Sequence, residues 1–183
     1  MTRRRLLVTL LSALAAAAAG AQEYSIDADQ VLVTYLAQVG AGQISGASRS
    51  LKWSVLALQG GAARVRLTVP IDSFDSGHGD LDSLLRGAVD SRHQPSVEVE
   101  GVVSDAHFEG TVSMHGVSRP TSFDLELARH GTQIVAHASF AIDLRDFGLS
   151  PERVADRVSI DFFARLQANP LAVVASGAIG LVE

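Results

Sequence analysis

A chain of 183 residues that is 47% hydrophobic and 19% charged can bury the core of one domain, which argues against disorder over its length. Its formal net charge of −5, with no Lys/Arg block after residue 5, argues against nucleic acid and anionic membrane surfaces as partners. The chain has no cysteine, so it can form neither disulfide staples nor a lipid-modified N-terminal cysteine.

The first element in chain order is a targeting segment. Arg3, Arg4 and Arg5 form a basic start, and Leu6 to Ala19 is apolar or small throughout. That run is about 14 residues, roughly 21 Å as a helix, short for a membrane span. Ala19-Gly20-Ala21 meets the small-x-small rule, so residues 1–21 are predicted to be a cleaved signal peptide, with Gln22 the first mature residue. The processed protein is then periplasmic or secreted and not an integral membrane protein. Losing three arginines leaves 12 Lys+Arg against 20 Asp+Glu, a net charge of −8.

The mature chain, residues 22–168, has a period of two. Apolar residues alternate with polar ones over Val31–Val39, Leu51–Ala57, Ala63–Ile71, Val97–Val103, Phe108–Met114, Phe123–Leu127, Ala136–Ile142 and Val158–Leu166. Alternation of this kind predicts strands with one buried and one wet face. Eight of them joined by mostly short connections predict an antiparallel all-β fold, either a sandwich or a barrel closed on itself. Two stretches break the alternation. Leu81, Leu84, Leu85 and Ala88 fall at helical spacing within Asp75–Asp90, predicting a short helix and loop over one end. Arg145–Asp156, with Gly148 and Pro151, reads as a connection with one helical turn. After Asn169-Pro170, residues 169–183 form an apolar C-terminal extension too short to cross a bilayer.

Candidate chemistry is sparse. Asp75, His78, Asp80 and Asp82 cluster in DSGHGDLDS, but glycine spacing and the lack of a closing Glu miss the calcium-loop pattern, so Asp80 or Asp82 is read as a helix cap. No Gly-x-Ser-x-Gly elbow and no glycine-rich phosphate loop occurs. His115, in the corner His-Gly-Val-Ser-Arg-Pro, has no carboxylate or nucleophile at a readable spacing and is read as part of a hairpin corner rather than a base. The chain is therefore not expected to be an enzyme, and no metal or cofactor is assigned.

Five pieces in order carry a resemblance: Tyr24-Ser-Ile-Asp27, Ser73-Phe-Asp-Ser-Gly77, Phe108-x-Gly110 running to Met114-His-Gly-Val-x-Arg-Pro120, Asp146-Phe-Gly-Leu149, and Asp156-x-Val158. Together they resemble the YceI-like family over Tyr24 to Leu166. The resemblance implies an eight-stranded, lipocalin-like antiparallel barrel and an exported, non-enzymatic protein that holds an isoprenoid lipid, a polyprenyl chain or a quinone, in its lumen. The expected lumen wall is Val33, Tyr35, Trp53, Phe108, Val112, Met114, Phe123, Leu125, Phe140 and Ile142. Polar residues common in the family are replaced here, with Gln30, Leu81, Leu84 and Leu144 at the corresponding positions. The alternative is a structural or interaction module with a filled barrel that docks through its apolar C-terminal segment. A homodimer through a sheet edge or that segment is compatible with either reading.

Overall fold

Apolar residues at alternate positions share one face of each strand. In β2 (Val31–Val39), Val31, Val33 and Ala37 are buried while Leu36 and Gln38 are exposed. In β7 (His107–Met114), Phe108, Val112 and Met114 are buried while His107, Glu109 and Thr111 face solvent. The computed structural model describes residues 23–25, 30–57 and 61–168. The expected signal peptide, residues 1–21, and the C-terminal extension, 169–183, lie outside the described residues.

The eight expected strands become eleven among the described residues, all in one antiparallel sheet. The others are β1 (Glu23–Ser25), β3 (Gly42–Ser48), β4 (Lys52–Ala57), β5 (Ala63–Pro70), β6 (Ser96–Ser104), β8 (Val117–Asp124), β9 (Glu126–His130), β10 (Gln133–Asp143) and β11 (Val154–Ala168). The one α-helix among the described residues is α1 (Gly79–Ala88), between β5 and β6. Neighbouring strands run β3-β2-β11-β1-β4-β5-β6-β7-β8, and β11 also pairs with β10, which pairs with β9. β8 and β9 are one length of chain that changes partner. Before Leu125 it pairs with β7, and after Leu125 it pairs with β10. At the change, the Leu125 N–H donates to the Ala106 carbonyl at 2.7 Å. Among the described residues no ladder joins β8 to β10, so hydrogen bonding does not close the sheet.

Aromatic stacking spans that seam. The Phe108 and Phe123 rings stack with centroids 4.7 Å apart, and Phe123 and Phe140 stack at 4.3 Å with planes 2° apart. Phe123 is on β8 and Phe140 on β10, so this contact joins strands that share no backbone bonds. Phe108, only 2% exposed, also lies over a glycine pair: Gly101 on β6 faces Gly110 on β7. A methyl group at Gly110 would sit 2.6 Å from the Gly101 Cα and 2.7 Å from the Phe108 Cζ. The absence of side chains at these positions is what lets the ring lie flat against the sheet.

The core has two parts. The larger contains Leu67, Val69, Met114, Leu144, Phe147 and Leu149, against which Leu81, Leu84 and Leu85 of α1 pack. The smaller contains Val31, Val55, Ala136, Ala164 and Leu166 at the far end of the strands. A 3₁₀ turn, Leu144–Phe147, follows β10, as expected of the Arg145–Asp156 connection. Asp143 accepts a bond from the Arg145 backbone N–H and a two-pronged contact from its guanidinium, at 3.0 and 2.6 Å.

Gly110→Ala should lower unfolding free energy by about 1–3 kcal/mol, because the clash is with backbone and a stacked ring; urea unfolding followed by Trp53 fluorescence reads this, and an unchanged midpoint would dismiss the steric argument. The hydrogen bonds from Arg145 hold the Asp143 carboxyl at about 2 instead of 3.8. A depressed value means the contribution is full above pH 3.8 and is lost as pH falls toward about 2. Asp143→Asn should therefore reduce the loss of stability across that window and leave the profile near neutrality parallel to the parent; acid-titrated thermal melts measure it.

Candidate functional site

The inner face of the sheet surrounds a cavity of about 550 Å³. Val33, Tyr35, Trp53, Phe108, Val112, Met114, Phe123, Leu125, Phe140 and Ile142, the ten residues expected on a lumen wall, all line it. They come from β2, β4, β7, β8, β10 and the β8–β9 junction, so the alternation of six chain segments converges on one space. Valines and alanines of β5, β6 and β11, among them Val65, Val99 and Ala164, complete the wall.

Helix α1 covers one end, presenting Leu85 and Ala88 to the cavity together with Asp82, Arg86 and the C-cap residue Val89. The loop before it is tied down on both sides. Ala47 of β3 and Asp75 exchange backbone hydrogen bonds at 3.0 Å, and the Ser48 and Ser73 hydroxyls meet at 2.6 Å. Asp82, 6% exposed, accepts from the Ser76 N–H at 3.1 Å and the Ser76 hydroxyl at 2.6 Å. Its role thus differs from the expected helix cap: the His78 cap position makes no side-chain bond, and Asp82 instead fastens the preceding loop to the helix. Asp75 accepts from the Gly77 N–H at 2.7 Å. Among the described residues no three His, Asp or Glu side chains are placed to hold a metal ion.

Two donors face the covered end. Tyr35 packs edge-on against Phe74, with centroids 5.4 Å apart, and covers Gly46, where a methyl group would lie 2.5 Å from the Tyr35 ring. Burial, helped by the Asp82 carboxylate, pushes the Tyr35 phenol above its ordinary value, so it remains a protonated donor at neutral pH. Arg86 spends one Nη2 bond on the Phe74 carbonyl at 3.2 Å, while its buried Nε has no hydrogen-bond acceptor and lies 3.7 Å from an Asp72 oxygen. Sequence reasoning missed Arg86. The signal was its i,i+4 spacing from Asp82 on the helix face that carries Leu85 and Val89.

The opposite end is rimmed by Gly61 and Ala62 just before β5, by the turn residues Asp105 and Ala106 between β6 and β7, and by Leu127 and Arg129 on β9. Asp105 and Ala106 both have positive φ, 52° and 61°, the backbone of a two-residue hairpin turn usually given to Asn-Gly.

His115 sits outside the cavity lining, at the corner between β7 and β8. The turn is His115-Gly116 alone, with φ of 52° and 71°; Val117 to Pro120, expected to belong to the corner, are already in β8. Pro120 is tolerated there because β8 pairs on one side only. The His115 Nδ1–H donates to the Phe147 carbonyl at 3.1 Å, and the Arg119 Nε–H donates to the Asp146 carbonyl at 2.6 Å. The corner thus holds the 3₁₀ turn by its backbone oxygens. The His115 Nε2 lies 3.5 Å from Asp90, whose carboxyl is held below its ordinary range by the His93 ring at 2.7 Å and, more weakly, by His115.

The sequence profile of the YceI-like domain family matches residues 24–166. No curated protein matches the chain by sequence. Solved structures do match in fold. BcnA of Burkholderia cenocepacia superposes with a TM-score of 0.66 at 18% identity, over 78% of this chain and 99% of that one. A polyisoprenoid binding domain from Saccharophagus degradans, implicated in plant cell wall breakdown, gives 0.64 at 15% identity, over 81% and 98%. A YceI protein of Campylobacter jejuni gives 0.58 at 13% identity, over 72% and 88%. At these identities the likeness is one of fold.

His115→Ala should lower stability by about 1 kcal/mol, from one lost hydrogen bond and an alanine left at positive φ. His115→Gly should be milder, since glycine relieves the backbone. The order of the two thermal midpoints checks the assignment; equal midpoints for both variants and the parent would remove the bracing role.

Proposed function

The chain belongs to the YceI-like domain family, and on that footing we propose that it binds an isoprenoid-type lipid, a polyprenyl chain or a quinone, in the lumen of its sheet, as an exported, non-enzymatic carrier or sequestering protein. The observation that carries this reading is the cavity. Its volume of about 550 Å³ falls within the roughly 300–1,000 Å³ of small-ligand pockets. Its wall is apolar along the strands, and each methylene buried there gains about 0.8 kcal/mol. A lumen filled by its own side chains would leave no such space, which weighs against the interaction-module alternative.

Several features support a lipocalin-like barrel as the container. If β8 and β9 count as one bent strand, the path β1-β4-β5-β6-β7-β8/β9-β10-β11, with β11 meeting β1 again, has eight members. That is the barrel size that holds one small ligand. The ten wall residues are the proposed contacts for the isoprenoid chain. Arg86 and Tyr35 are placed to donate to a carbonyl or phosphate oxygen at the covered end, where an unpaired donor makes an apolar terminus a poorer fit. Export rests on the basic, apolar and small-residue segments of residues 1–21. No helix among the described residues is long and apolar enough to cross a membrane.

Native mass spectrometry of protein purified from its export compartment, followed by organic extraction, tests the reading. A stoichiometric isoprenoid adduct is expected. Ile142→Trp, which fills part of the lumen from its wall, should weaken binding of an added short-chain quinone or polyprenyl phosphate at least about tenfold with the fold retained. A bare parent mass, unchanged after incubation with both lipids, would overturn the proposal.

A further inference from the structure

Four charged residues line the cavity among the described residues: Asp105 and Arg129 at one end, and Asp82 and Arg86 at the end under α1. The first two are exposed, where water screens them. The second two are not. Asp82 is buried, accepts from the Ser76 N–H and hydroxyl, and forms no ion pair among the described residues. Arg86 has a buried Nε without a hydrogen-bond acceptor, and an oxygen of Asp72 lies 3.7 Å from it. One guanidinium thus stands against the carboxylates of Asp72 and Asp82, and that of Asp75 adds to them at Tyr35. The Tyr35 phenol, on the same end of the wall, reports the balance. Burial does most to keep its proton on; Asp82 adds to that, and its repulsion outweighs the pull of Arg86. A further negative charge brought beside the phenol would meet the same field, among apolar neighbours such as Phe74 and Leu85.

We propose that the covered end selects a neutral carbonyl head over a phosphate, with Arg86 and Tyr35 donating to the carbonyl oxygen and Asp82 set against an anion. This rests on the lumen being the lipid site, and it narrows the guest from prenyl lipids in general to those that end in a ketone, aldehyde or quinone carbonyl. A carbonyl oxygen has two lone pairs and no net charge, so it satisfies the Arg86 N–H without burying an ion. A bare hydrocarbon end would leave that donor unpaired. A phosphate would satisfy it, but at neutral pH it brings a charge of about −1.5 to −2 to a place where one guanidinium already faces two carboxylates. Asp82 and Arg86 lie one helical turn apart in α1, so the donor and the excluding charge share one face of the helix.

Three probes that share a three-isoprene chain separate the head from the chain: farnesylacetone, a ketone; farnesyl phosphate; and farnesene, which has no polar head. Their affinities for the full chain are read from the fluorescence of Trp53, the single tryptophan, which lines the cavity. The ketone is expected to lead farnesene roughly tenfold, the scale of one hydrogen bond to a charged group. It should lead the phosphate at least about tenfold, because like charges set side by side are strongly unfavourable. A three-isoprene benzoquinone, run beside the ketone, tells a ring carbonyl from an open-chain one and should keep the lead over the phosphate. Asp82→Asn, which retains an acceptor for Ser76, should narrow the ketone-to-phosphate ratio at least about tenfold. Arg86→Met, which retains an apolar stem, should bring the ketone down to farnesene. A phosphate that binds as tightly as the ketone, or a ratio that Asp82→Asn leaves where it was, overturns the selection while leaving the lipid reading intact. Equal affinities for all probes do the same, since the lumen then reads the chain alone. If Asp82→Asn does not fold, the parent ratios and Arg86→Met decide. If none of the probes binds, the lipid reading fails and the selection with it.

Discussion

The Phe123–Phe140 stack is the contact on which the container depends. Along the path from β10 through β11, β1 and β4 to β8, neighbouring strands are joined by backbone ladders, and each ladder bond contributes on the order of 1 kcal/mol net. Between β8 and β10 there is none, and two phenyl rings at 4.3 Å take that place. Each aromatic pair adds about 0.5–1.5 kcal/mol beyond its burial. The ring that continues the stack, Phe108, can approach only because Gly101 and Gly110 leave the sheet bare beneath it. One wall of the cavity is therefore stiff and aromatic, and its position is set by two missing side chains.

The covered end is organised by polar contacts of the helix and the loop before it. Asp82 holds Ser76, the Ala47–Asp75 exchange holds the loop to β3, and Arg86 reaches the Phe74 carbonyl. At the adjoining corner, His115 and Arg119 grip the carbonyls of Phe147 and Asp146. These bonds do for connections what ladders do for strands: they satisfy backbone N–H and carbonyl groups that would otherwise be unpaired near the core. A histidine in a motif this specific invites a catalytic reading, yet its ring is turned to a backbone carbonyl outside the cavity. The motif is constrained by the turn, which needs positive φ at two successive residues, and by the carbonyl that the ring must reach.

Much of the fold was legible because the inner face is apolar at every second residue. The strands that escaped have an inner face that is not. Along β3 the inward positions are Ile44, Gly46 and Ser48; Gly46 makes room for the Tyr35 ring, and Ser48 is buried against Ser73. A strand buried by its neighbours' bulk carries little hydrophobic signal of its own. β9 is exposed at every residue, and its break from β8 lies where pairing passes from β7, whose register continues to the Leu125–Ala106 bond, to β10, a change that depends on strands distant in sequence. The wall residues were legible as a face. Asp82 and Arg86 were not, because polar residues on a helix look solvated until a packed loop covers them.

The lumen is open because of side-chain volume rather than sheet geometry. Many inward positions carry valine or alanine, such as Val33, Ala37, Val55, Val65, Val99, Ala136 and Ala164, and the aromatic rings are those of the stack together with Trp53, Tyr35, Phe74 and Phe162. With aromatics at only 5% of the chain, there is too little bulk to meet across the middle. An apolar space left empty deprives every atom on its wall of dispersion partners on one side. Water recovers little of that loss where few polar groups line the space, and here they are confined to the two ends. The interior is therefore under-packed relative to ordinary protein cores, and an apolar guest would restore the missing contacts. Stability and occupancy are coupled in such a design: whatever fills the lumen in the folded state, and finds no equivalent in the unfolded chain, stabilises the fold in proportion to its binding.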